Sequence, residues 1–335
     1  MSGFQTVHGF QDVWRPVALP RRTPDEVLGR LSPVDIRRKL GRLVAHAPEV
    51  MVKVTGRIHN AGGLKAHLAY ITRNGNIDLD SGDGVLVRGG PDVRALADDW
   101  ARLAELDARR RANTPMVLSV VLSMPRGVDP DLLLRASRTF AAQTLGDRFD
   151  HGMALHLDAP HPHVHLVIRM LGREGERLAP GKTDLQVWRD TFAEALRAVG
   201  VQAEATPRRT RGVTRKAERG VVRRLRLRFE AGGPPARVLR SAYREAAEAA
   251  FRGPGALRPW EVQMVTRQRR IRTLYLEQAR LLAASDHQAD RRLGAALSVF
   301  VSALAPPDSR RLELARVLRA AETTRGERLT PARER

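Results

Sequence analysis

Between His156 and His165 the chain reads HLDAPHPHVH, which places four of its ten histidines and an aspartate within ten residues. Imidazole is the commonest protein ligand for divalent ions, and three imidazoles leave coordination positions open for a substrate oxygen. Side chains two apart on an extended strand point to the same side, so the spacing predicts His161, His163 and His165 on one face. By the same rule His156 and Asp158 share a face, and a turn at Ala159-Pro160 lets the two groups converge. A strand of ordinary surface or satisfied core histidines would explain one such residue well. It explains five ligand-type residues at alternating spacing poorly.

Composition names the partner class. The formal net charge is +21 over 335 residues, with 58 Lys and Arg against 37 Asp and Glu. Such an excess attracts phosphate backbones by counterion release. An arginine-rich genome would spread the excess evenly, whereas here it is clustered: residues 206 to 228 hold ten Lys or Arg and the single acid Glu218. Cysteine is absent, which excludes disulfides and thiolate metal sites. There is no apolar run of about 18 residues to span a bilayer, and the first residues lack the basic-then-apolar order of a secretory leader. The expected setting is therefore cytoplasmic, without membrane insertion.

A basic protein with clustered histidines suits metal-assisted attack on a phosphodiester. Were water the nucleophile, several carboxylates would be expected, and the cluster holds only Asp158. That scarcity favours a protein nucleophile, and tyrosine forms a link to phosphate similar in energy to the bond broken, so resealing needs no nucleotide. Of the three tyrosines, Tyr243 and Tyr275 sit at positions suited to helix packing. Tyr70 lies between Lys65 and Arg73, just after the glycine-rich AGG.

The elements that must position these residues follow from the hydrophobic pattern. MVKVT at 51–55 alternates as a strand, Leu64 to Thr72 reads as a helix with Leu64, Leu68 and Ile71 on one side, and 74–90 reads as a loop or small hairpin. A helix over 92–111, a buried strand over 116–124 and a helix opening at Asp129-Pro130 come next. The strand HVHLVIRM at 163–170 and a helix over 183–199 complete the first part. After Gly200 strand signals fade, and helices fit 236–252, 258–285, 291–304 and 309–322. The fold expected is α+β: a central, mainly antiparallel sheet flanked by helices, then a small all-helical extension. The partition expected is an N-terminal arm at 1–48, loosely ordered apart from a short helix at about Pro33 to Ala45, then a nuclease domain at 49–203, a basic linker at 204–235 and the helical extension at 236–335. No GxxxxGK[ST] loop is present, so no motor activity is expected.

Three segments resemble one family in the right order. HLDAPHPHVHLVI is similar to the third motif of relaxases, the plasmid-mobilisation nucleases with a His-hydrophobic-His signature, here His163-Val164-His165. GGLKAHLAYITRNG resembles their first motif in the VirD2-like, MOBP-type branch, and LSMPRGVDPDLLLRASRTFAAQTLG resembles the second. The likeness covers about residues 51 to 200. It implies a palm-like sheet and Tyr70 as nucleophile, with His163, His165 and His156 holding a divalent ion, Mg2+ or Mn2+ with Zn2+ as the other option. Asp158 would fix a ligand imidazole's tautomer or help take the phenol proton, and His161 would support the ligands, accept that proton or serve as an alternative ligand. Ser123, by its place in the second motif, together with Lys65, Arg73, Arg208, Arg209 and Arg211, would contact DNA.

The reaction implied is site- and strand-specific nicking of single-stranded DNA at an origin of transfer, through a 5′-phosphotyrosyl intermediate that is later religated. The implied partners are the nick-site strand and adjacent duplex, relaxosome accessory proteins and a type IV coupling protein, with passage to a recipient cell while attached to DNA. A rolling-circle replication initiator or transposase shares the chemistry, but there the tyrosine usually follows the histidines. A non-catalytic DNA-binding protein with a structural ion predicts binding without cleavage.

Overall fold

The computed structural model describes residues 4–14, 31–82, 84–214, 218, 220–234, 236–253, 255 and 257–329. Two compact units result, one of Arg15–Thr206 and one of Met1–Trp14 with Pro207–Arg335.

The first unit is a six-stranded antiparallel sheet with helices on both faces. Its elements are α1 (Pro33–Val44), β1 (Met51–Ile58), α2 (Ala61–Ile71), β2 (Leu79–Asp80), β3 (Leu86–Val87), α3 (Gly89–Glu105), β4 (Val117–Ser123), α4 (Pro130–Thr144), β5 (His151–His156), β6 (His163–Arg169) and α5 (Lys182–Ala198). The strand order is β1-β4-β6-β5-β2-β3, so β4 and β6 are central and β1 is an edge. Every residue of β4 is buried, which suits a strand covered on both faces. Leu118, Val120, Leu122, Leu166 and Ile168 form a core with Phe140 of α4 and with Trp188 and Phe192 of α5. On the opposite face Val117, Ala154 and Val167 pack with Leu64, Leu68 and Ile71 of α2 and Trp100 of α3. The expected α+β class is thus observed, and the 74–90 stretch does contain a hairpin, β2–β3.

Local chemistry sets where the helices start. Asn60 caps α2 by accepting from the amide of Gly63, and Asp129 caps α4 ahead of Pro130. Within 1–48, the short helix expected at about Pro33 to Ala45 is present as α1: Ser32 and Asp35 form a capping box and Ile36, Leu40 and Leu43 are buried, so this part of the arm is packed. Pro16, Pro20 and Pro24 of that arm lie outside the described residues. Within 204–235, read as a linker, Gly220–Glu230 forms a helix, numbered α6, with Arg226 ion-paired to both Glu218 and Glu230; residues 215–217, 219 and 235 lie outside the described residues.

The second unit contains α6 with α7 (Arg237–Phe251), α8 (Pro259–Ala283), α9 (Gln288–Ser302) and α10 (Arg310–Leu329). α8 packs along α9, and α7 along α10. A 3-10 turn at Phe10–Val13 joins this unit because Phe10 is buried edge-on against Trp14 and Tyr275. Tyr275 is itself fully buried, and its hydroxyl donates to the carbonyl of Thr210 at 3.0 Å.

Glu261, at the start of α8, is fully buried. Burial pushes its carboxyl up, but hydrogen bonds from Arg311, Ser309 and the amide of Arg258 prevail and hold it at about 2, below its ordinary 4.5. A carboxylate lowered in the fold stabilises fully above its unfolded value, and the contribution is lost as pH falls from about 4.5 through 2. Glu261→Gln is therefore expected to cost about 3 kcal/mol at pH 7, since it leaves Arg311 without its buried counter-charge. Hydrogen exchange should show lost protection along α8 and α10 at pH 7, with the difference from the parent shrinking towards pH 2.

Candidate functional site

The antiparallel pairing of β5 with β6 sets His156 directly opposite His163 and Ala154 opposite His165. Residues paired across a ladder, and those two apart along a strand, share a face, so His156, His163 and His165 all project to the α2 side of the sheet. Their ring centroids lie 4.4 to 5.2 Å apart. One nitrogen from each falls within 4.8 Å of the others.

Backbone carbonyls select the tautomers. His156 donates from Nε2 to the carbonyl of Ile71 at 2.6 Å, and His163 donates from Nδ1 to the carbonyl of His161 at 3.1 Å. A carbonyl can only accept, so Nδ1 of His156 and Nε2 of His163 keep their lone pairs. Nδ1 of His165 is buried and has no hydrogen-bond partner among the described residues. Burial pushes His165 down to about 4, and the neighbouring imidazoles His156 and His163 push in the same direction. His156 is also lowered, first by burial. Both His156 and His165 are thereby held neutral near pH 7, as metal ligation requires. An orphaned buried nitrogen beside two lone pairs of fixed direction is a donor set that fits a divalent cation.

The same carbonyl of Ile71 ties the end of α2 to His156, and Tyr70 stands next to it. The Tyr70 ring is 56% exposed, and its centroid lies 5.9 Å from that of His165, edge-on, and 6.5 Å from that of His156. Beyond α2, Arg73, Asn74 and Gly75 all take positive φ, reversing the chain so that the Arg73 guanidinium lies over the Tyr70 ring, 5.1 Å from its centroid. A side chain at Gly75 would collide with the backbone of Gly89 and Gly90. Arg73 is ion-paired with Asp158, and its Nη2 donates to Nδ1 of His156 at 3.3 Å, so a cation and Arg73 would compete for that lone pair. The bond to Asp158 is the main cause holding Arg73 above its ordinary value, with Tyr70 adding to it, and the same pairing lowers Asp158.

Several expectations need correction. His161 does not share the face of His163 and His165: β6 begins at His163, the chain bends through 158–161, and Pro162 has no amide to continue the ladder. The His161 ring is exposed, and its contribution is its backbone carbonyl. Asp158 does not fix a tautomer; its Oδ1 is 3.8 Å from Nδ1 of His156, and the Ile71 carbonyl performs that task. Ser123 is buried and donates to the carbonyl of Pro162 at 3.2 Å, closing the loop that enters β6, so its hydroxyl is not offered to DNA. Lys65 is ion-paired with Asp98 at 2.7 Å. Arg208, Arg209 and Arg211 belong to the second unit, where Arg209 is partly buried and lowered to about 10 by burial and then by Arg267.

One residue escaped the sequence reading. His67 lies one helical turn before Tyr70, their rings stacked with centroids 6.4 Å apart, and its Nε2 is buried without a partner among the described residues. Burial lowers it, keeping the ring neutral. The i, i+3 spacing on a helix was the available signal.

Comparison with known proteins agrees with the motifs. A family model described as "Relaxase: MobA/VirD2-like, nuclease domain" matches residues 70–201, a span that opens at Tyr70. The chain is similar to the "T-DNA border endonuclease VirD2" of Rhizobium radiobacter, 28% identical over 182 residues, which is 48% of this chain and 43% of that one. It is also similar to the protein of the same description from Agrobacterium fabrum, 26% identical over 202 residues, 51% of this chain and 45% of the relative. The chain thus spans less than half the length of the curated relatives it matches. A solved chain described under "Molecular Basis of Vancomycin Resistance Transfer in Staphylococcus aureus" aligns to 48% of this chain and 98% of its own at 14% identity and a TM-score of 0.34, which carries no argument.

Proposed function

We propose, from a nuclease domain that is MobA/VirD2-like over residues 70–201, that this protein is a conjugative relaxase that nicks one DNA strand by transesterification at Tyr70. The observation that carries the reading is the bond from His156 to the carbonyl of Ile71, because it holds a half-exposed phenol beside three convergent imidazoles.

In the proposed step the Tyr70 oxygen attacks the scissile phosphorus and the bond to the 3′ oxygen breaks, leaving a 5′-phosphotyrosyl strand and a 3′-hydroxyl. Religation is the reverse, with the 3′-hydroxyl displacing the phenol oxygen. His156, His163 and His165 would hold the divalent cation, which would neutralise charge on a non-bridging phosphate oxygen. The guanidinium of Arg73 lies over the phenol ring, a fixed cation beside the group that attacks. The phenol proton passes to Nε2 of His67, whose ring stacks on that of Tyr70 and which no described residue engages. The origin of transfer, adjacent duplex, accessory and coupling proteins, and a cytoplasmic setting before transfer belong to the same proposal; among the described residues no helix is long and apolar enough to cross a membrane.

The test is direct. Incubated with Mn2+ or Mg2+ and a random pool of labelled single-stranded oligonucleotides, the protein should form an SDS-stable adduct, and peptide mapping should place the nucleotide on Tyr70. Binding without any adduct would favour the structural-ion alternative. His67→Ala should slow adduct formation about 100-fold in single-turnover measurements while leaving DNA affinity within about twofold. An unchanged rate would remove His67 from the mechanism.

A further inference from the structure

The edge strand β1 extends the sheet face that carries the histidines. Directly paired residues of an antiparallel sheet share a face, and the register draws two rows across it. One runs Met51, Ser123, His163, His156; the other runs Lys53, Val121, His165. Adjacent strands are about 4.8 Å apart, so the backbone of Lys53 lies roughly 10 Å from that of His165, two strands away on the same side. The middle of each row, Ser123 and Val121, is buried, but its outer end is open: Met51 is 45% exposed, and Lys53 and Thr55 are exposed too. Among the described residues Lys53 has no ion-pair partner.

An irregularity between Val54 and Gly56 shifts the register, so Arg57 pairs with Leu118, whose side chain belongs to the core on the other face. Two exposed cations four residues apart on one strand therefore face opposite sides of the sheet. Only Lys53 faces the histidines.

We infer that Met51 and Lys53 form the track for nucleotides flanking the scissile phosphate, with Lys53 neutralising a backbone phosphate and the Met51 side chain lying against a base. The inference rests on the nicking reading above. A strand leaving the imidazole cluster along these rows carries one negative charge per nucleotide, which Lys53 complements. Its base faces need an adaptable apolar support, which a polarizable thioether supplies.

Binding of a fluorescein-labelled dT20 oligonucleotide, followed by anisotropy from 50 to 300 mM salt, tests this. Lys53→Ala should weaken binding several-fold and make the slope of log K against log salt shallower by about 0.7, the value for one phosphate contact on a single strand. Lys53→Arg should restore both, Met51→Ala should weaken binding with the slope unchanged, and Arg57→Ala should leave binding and slope alone. A parental slope in Lys53→Ala, or an equal loss in Arg57→Ala, would overturn the track. Adduct formation, assayed on the same preparations, separates the two claims. An adduct with no Lys53 dependence sinks the track alone, and Lys53 dependence without an adduct sinks the nicking reading alone.

Discussion

Tyr70→Phe is expected to reduce the covalent DNA adduct at least about 1,000-fold, because the substitution removes the attacking oxygen and little else. Phenylalanine retains the ring that Arg73 covers and that meets His165 edge-on. The site is half-exposed, so stability should change by less than about 0.5 kcal/mol. Affinity for single-stranded DNA should stay within about twofold of the parent, and gel-shift and adduct assays run side by side will show whether binding and chemistry separate. The other two tyrosines act as internal controls. Tyr275→Phe removes the buried bond to the Thr210 carbonyl and should lower stability by about 1 kcal/mol while leaving the adduct intact. Tyr243, packed against Phe229, should tolerate Phe without effect on the adduct. An adduct persisting in Tyr70→Phe would displace Tyr70 from the chemistry.

His165→Ala and His163→Ala should each weaken Mn2+ binding about 100-fold or more by calorimetry and slow adduct formation by a similar factor. Three imidazoles that each bring one nitrogen within 4.8 Å of the others act as a unit, so loss of one ligand leaves too few donors to displace water from the cation. Chelator treatment of the parent protein should reproduce the loss, and added Mn2+ should reverse it in the parent alone. His161→Ala provides the sharp contrast. Alanine keeps the backbone carbonyl that accepts from His163, so metal binding and adduct yield should remain within about threefold. A loss in His161→Ala as large as in His163→Ala would mean that the imidazole at 161 does join the ligands, against the geometry described above.

Much of the positioning framework was legible because it depends on local pattern. The buried run at 117–123, the Pro130 helix start and the alternation from His163 marked a central strand, a flanking helix and the ligand strand. His163 and His165 were legible for the same reason, being two apart on one strand. His161 misled because the same spacing was extended across Pro162, where the ladder does not run. Helix α1 was legible as a short helix within a proline-interrupted stretch, and only the structure shows that Ile36, Leu40 and Leu43 bury its inner face. The placement of Phe10 with Tyr275 had no local signal, since the partners are more than 260 residues apart in the chain.

By itself the sequence determined the residue types, a basic chain with imidazoles at strand spacing and one tyrosine beside a glycine-rich turn, because composition and periodicity act within a few residues. It could not say which imidazoles converge, that the carbonyl of Ile71 rather than Asp158 orients His156, that the His67 ring stacks beside the phenol, or that Lys53 and Arg57 face opposite ways. Those depend on the pairing of β5 with β6, on the packing of α2 over them and on a one-residue shift in β1. Tertiary structure decided them because facing sides exist only once the sheet has chosen its register, and because the bond that orients His156 reaches Ile71, 85 residues away in the chain.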